Sequence, residues 1–153
     1  MAVQSEPGVT HDWLAAIRRY LVASAIGNLV WEIAQMPLYT LWRSADGRTL
    51  LTAVLHCTAG DILIATASLL TSLVLLGVAA WPLAGRWRVA GATVLLGLAY
   101  TIYSEYLNTI IRQTWAYNEL MPVLPGLGTG AAPLAQWLVV PVAALWIASR
   151  RSN

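Results

Sequence analysis

Three carboxylic acids and one imidazole stand inside long apolar stretches of this chain: Glu32, Asp61, Glu105 and His56. A carboxylate at mid-membrane costs at least about 2.5 kcal/mol even on a lenient insertion scale, so such acids are read first as functional. In a poorly hydrated cavity these groups exchange protons near neutral pH and can act as general acid and base. That chemistry suits an isomerisation, cyclisation, hydration or epoxide opening on a lipophilic small molecule entering from the bilayer. The same donors suit iron, manganese or zinc, so a metal held by Glu32, His56, Asp61 and Glu105 is an alternative.

Polar neighbours recur at helical spacing around these four. Asn28, Glu32, Gln35 and Tyr39 fall at i, i+4, i+7 and i+11, one stripe of a helix. Cys57 and Asp61 share a face, whereas His56, five residues from Asp61, is turned about 140° away from it. Glu105, Asn108 and Arg112 form a further stripe, and Gln136 sits beside Trp137. Between the last two stripes lies an aromatic and Pro/Gly-rich segment with Trp115, Tyr117 and Met121-Pro122. The reading assigns catalysis to Glu32, His56, Asp61 and Glu105. It assigns substrate contact to Asn28, Gln35, Tyr39, Asn108, Trp115, Tyr117 and Gln136. Taken singly, each acid is also explained as interhelical glue, hydrogen-bonded to Asn, Gln or Tyr.

The elements that must position these residues follow from composition. Of 153 residues, 58% are hydrophobic and 10% charged, and the mean hydropathy is +0.63. A soluble domain carries about 25% charged residues, so the class is a polytopic, all-α integral membrane protein. Apolar runs of about the 20 residues a bilayer requires predict four spans, near 20–42, 50–78, 89–112 and 133–148. They make one domain over 13–151, after a disordered tail at 1–12. Two short links, around Asp46-Gly47 and Trp81-Pro82, make successive spans antiparallel, giving an up-down four-helix bundle. The third connection, 113–132, is longer and is expected to cap one end. Pro37 should kink the first span beside its polar stripe.

Orientation follows from arginine, since all nine basic residues are Arg. Arg18, Arg19, Arg86, Arg88, Arg150 and Arg151 fall on one side, and Arg43, Arg48 and Arg112 on the other. The positive-inside rule then puts both termini in the cytoplasm of a bacterial-type inner membrane. No charged start precedes an apolar run, so no cleaved signal is expected at Met1. In this topology every strongly polar buried group lies in the outer half of the bundle. Three acids at one depth cannot all be ionised without a cation to balance them.

Several classes are excluded. There is no phosphate-binding glycine loop, no Cys/His zinc spacing, no Gly-x-Ser-x-Gly elbow and no basic nucleic-acid patch. The single cysteine, Cys57, allows no intrachain disulfide. An intramembrane acid–base enzyme is the first reading. A proton- or metal-coupled transporter and an accessory subunit of a larger membrane complex compete with it. The partners expected are the bilayer, a lipophilic small molecule and, as an option, a second copy of the chain.

Overall fold

The computed structural model describes the backbone of residues 7–150 and the side chains from Trp13 onward. The helices are α1 (Pro7–Gln35), α2 (Leu41–Ser44), α3 (Gly47–Leu76), α4 (Arg86–Tyr106) and α5 (Ala131–Ala148), with no strand among the described residues. Three helical stretches are long and apolar enough to cross a membrane: Trp13–Leu38, Gly47–Leu76 and Ala131–Ala148. α4 is not one of them: Arg86 and Arg88 open it, and Ser104 and Glu105 stand in its last turn.

Local chemistry sets the ends. α1 stops at Gln35 instead of reaching residue 42, because Pro37 lacks an N–H and its ring crowds the preceding turn. The chain tightens there into a 3-10 turn, Met36–Leu38, and leaves it extended at Tyr39. At its other end α1 begins at Pro7, within the segment read as a disordered tail; residues 1–6 lie outside the described residues. Asp46 caps α3, its Oδ1 accepting from the Thr49 N–H at 2.7 Å, and Gly77 in the left-handed region closes it. After Tyr106 the helix widens into a π-helical turn, Leu107–Ile111.

α1 packs on α3 and α5, and α4 packs on the same two helices. The buried ridge of α1 is Ala16, Tyr20, Ser24, Asn28 and Glu32, and that of α4 is Val89, Thr93, Gly97, Thr101 and Glu105. Both run at strict i, i+4 spacing, which lets ridges interlock. Polar and small residues thus turn inward, while Val22, Val30, Leu63, Val74 and Leu95 are exposed. That pattern suits a lipid surround, where helices associate through close packing and interhelical hydrogen bonds. Tyr20 donates to the Ala65 carbonyl at 3.2 Å, Thr93 to Ser72 Oγ at 3.2 Å, and Arg19 to the Ala148 carbonyl at 3.0 Å.

One end of the assembly is solid. Ala16, Tyr20, Leu69, Trp81, Val89, Leu145 and Ala148 fill it as a single apolar cluster. Trp137 lies across Gly97, where an added Cβ would collide with the indole. Only glycine admits the ring there, and this contact closes the floor beneath the opposite end.

Candidate functional site

At that opposite end the helix stripes converge. Glu32 of α1 and Asp61 of α3 stand on either side of one amide. Gln136 of α5 bridges the pair, its Nε2 donating to Asp61 Oδ2 at 2.8 Å and Glu32 Oε1 at 3.2 Å. The same nitrogen reaches Asn28 Oδ1 at 3.0 Å, so three acceptors compete for its two hydrogens. Gln35 Nε2 donates to Glu32 Oε1 at 2.7 Å and to Gln136 Oε1 at 3.4 Å.

Glu105 is held differently. Its Oε2 accepts from the Tyr117 hydroxyl in a short hydrogen bond, and from Trp115 Nε1 at 3.4 Å. The Tyr117 oxygen in turn accepts from the Gly130 N–H at 3.0 Å, which polarises the phenol toward the carboxyl. Burial, then Glu105, push the Tyr117 hydroxyl above the ordinary phenol range. Burial and the same carboxyl do so at Tyr39, so both remain neutral donors. The two rings lie 5.5 Å apart.

The 113–130 segment reaches these positions because it is tied to the end of α1. Thr40 N–H donates to the Ala116 carbonyl at 2.9 Å, and Asn118 N–H to Leu38 at 3.0 Å. Asn118 Nδ2 adds a bond to the Pro37 carbonyl at 2.7 Å. The Leu38 and Pro37 carbonyls are available because Pro37 has ended the helix. Met121 is buried against Gly130.

A cavity of about 500 Å³ lies between the carboxyl pair and Glu105. Of the residues singled out by sequence, Glu32, Gln35, Tyr39, His56, Asp61, Glu105, Asn108, Trp115 and Gln136 line it. Asn28 and Tyr117 do not: Asn28 supports Gln136, and Tyr117 supports Glu105. Asn108 faces the cavity from the π-helical turn, its Nδ2 bonded to the Ser104 carbonyl at 2.9 Å and its Oδ1 to Thr114 Oγ1 at 2.9 Å.

His56 stands apart from its expected role. It is exposed on the rim and bonds to none of the three acids, as its turn away from Asp61 along α3 requires. Among the described residues, no three His, Cys, Asp or Glu side chains gather as a metal-ligand set. The four-residue metal site therefore does not form.

The structure also brings in residues that sequence reasoning did not single out. Tyr100, Thr101 and Trp137 line the cavity, as does Ile64. Thr101, one turn before Glu105, was visible in the helical spacing. Asn118 was not, because its partners are carbonyls freed by a distant helix end.

No known protein family matches this chain, and no curated protein or solved structure is similar to it.

Proposed function

We propose that this protein is an intramembrane acid–base enzyme acting on a lipophilic small molecule. In this reading α1, α3, α4 and α5 form an up-down transmembrane bundle in a bacterial-type inner membrane. Both termini are cytoplasmic, and the cavity with its 113–130 cap lies on the outer side.

One observation carries the reading: two carboxyl stations with different hydrogen-bond environments share one cavity. Glu32 and Asp61 are held on one amide, where two ionised carboxylates repel, so in this reading the pair shares one proton and holds it ready to give. Glu105 Oε2 only accepts, from Tyr117 and Trp115, which is all an ionised carboxylate can do, so it is assigned the role of proton acceptor. Two acids set apart by their surroundings are the usual basis for assigning general acid and general base. The pair delivers a proton to the substrate as Glu105 removes one from another position. For an isomerisation the substrate gains and loses one proton, and the pair is recharged as Glu105 is discharged to water at the mouth. Gln136 and Asn28 hold the acid in place, and Tyr117 positions the base. The apolar cluster at the other end blocks a continuous polar path, which supports an enzyme over a carrier.

The test is untargeted lipid mass spectrometry. Wild type, Asp61→Asn and Glu105→Gln are purified into nanodiscs and incubated with a bacterial lipid extract. The reading expects a lipid species consumed and another formed, at unchanged mass or shifted by one water, with wild type alone. Identical lipid profiles for all three folded proteins would overturn it.

A further inference from the structure

The hydrogen-bond inventory of the cavity is lopsided. The amide and indole donors that line it are committed: both hydrogens of Gln35 Nε2 and of Gln136 Nε2, and the N–H of Trp115. Among the fully buried polar atoms that line it, the one left without a partner is an acceptor. Gln35 is 6% exposed and lines the cavity, yet its Oε1 has no partner. A buried amide oxygen left unpaired costs free energy, and native structures leave few such groups without a reason.

Charge is lopsided in the same sense. Among the described residues, no arginine or histidine bonds to Glu32, Asp61 or Glu105. The single ion pair among the described residues, Arg43–Glu119, is on the surface. Arg112 lines the cavity only from its exposed rim. Aromatic rings from Tyr39, Tyr100, Trp115 and Trp137 complete the lining, and ring faces attract cations. Small or exposed residues line the cavity on its α3 and α4 side. An added Cβ at Gly60 meets nothing, and Tyr100 on α4 is 48% exposed. At the opposite end α3 and α4 are joined by Thr93 and Ser72.

We propose that the cavity takes a lipophilic cation: a molecule whose ammonium-like head lies between Glu105 and the Gln35 carbonyl and whose apolar body extends toward lipid between α3 and α4. A positively charged N–H donor supplies the missing partner of Gln35 and balances the buried acids together. A neutral alcohol does only the first, and an anion does neither. The inference rests on the reading of the cavity as a lipophile site and adds the charge of what it holds.

Octyl chains with three different heads test it: octylammonium, octanol and octyl sulfate, each titrated as monomer into the wild-type protein in nanodiscs. The signal is tryptophan fluorescence, to which Trp115 and Trp137 contribute from the cavity. The proposal expects octylammonium to bind at least tenfold more tightly than octanol, and octyl sulfate not to bind. It also expects Glu105→Gln to remove most of that preference while leaving octanol binding intact. Equal binding of octylammonium and octanol overturns the cation inference and leaves the lipophile site standing. Failure of all three to bind overturns both. Preferential octylammonium binding by a protein that turns over no lipid sustains the inference and sinks the enzyme reading alone.

Discussion

The two ends of this molecule use the same four long helices for opposite purposes. At one end Tyr20, Leu69, Trp81, Val89 and Ala148 pack into a solid cluster. At the other, the same i, i+4 ridges that end in Glu32 and Glu105 leave a cavity of about 500 Å³ lined by three acids. Close packing stabilises a helical assembly in lipid, whereas burying acids costs stability. The contrast therefore separates the part that folds the protein from the part it was folded to hold. Removing an acid should cost function, and removing a core side chain should cost stability.

The largest effect falls at the acid end. Glu105→Gln should lower lipid turnover by about 10²–10⁴-fold, the usual weight of a general acid or base, with little change in melting temperature. A fall in melting temperature as large as that of a core variant would erase the distinction between the ends. Next comes the packed end. Leu69→Ala should destabilise by about 2–5 kcal/mol, read by thermal unfolding in detergent, and still turn over substrate below its melting temperature.

Between these lies a positioning residue. Tyr117→Phe keeps the ring against Tyr39 but removes the donor to Glu105, a bond to a charged group worth about 1.5–3 kcal/mol. Turnover should drop by about 10- to 100-fold at saturating substrate, and the pH profile should shift as Glu105 loses a donor that favours its ionised form. An unchanged pH profile would make Tyr117 a packing residue.

How much of this contrast was legible in the sequence depends on where the helix period governs. Asn28, Glu32 and Gln35 converge because their spacing fits an α-helix through residue 35. Tyr39, read as the next step on that stripe, lies beyond the helix end imposed by Pro37. It reaches the cavity from an extended residue paired with Tyr117. Asn108 likewise sits in a π-helical turn that no spacing rule announces. The 113–130 segment was recognisable as a cap by composition, but Asn118 and the Gly130 N–H act through backbone partners far away in the chain. His56 was drawn into the site by residue type, although its angle from Asp61 already argued against it.

The smallest effect concerns the surface above the cavity. Arg43 Nη2 lies 2.6 Å from Glu119 Oε1, with both side chains more than half exposed. The hydrogen bond from Arg43 holds the Glu119 carboxyl below its ordinary value of 4.5. A lowered folded value means the pair's contribution is complete above that ordinary value and fades as pH falls through the folded one. The melting temperature of wild type should therefore dip slightly more than that of Arg43→Ala on acidification. Parallel curves would show that the pair adds nothing, as many exposed pairs do.

If the acid end is a lipid-accessible reaction site whose carboxyl pair shares one proton, one carboxyl of that pair is protonated and open to an apolar reagent. Dicyclohexylcarbodiimide, an apolar reagent that attacks protonated carboxyl groups, tests it directly when labelled peptides are mapped by mass spectrometry. Modification of Glu32 or Asp61 is expected, never both on one molecule, with suppression of that labelling by octylammonium. Labelling confined to the exposed Asp46 and Glu119, or no labelling of the pair, would contradict it.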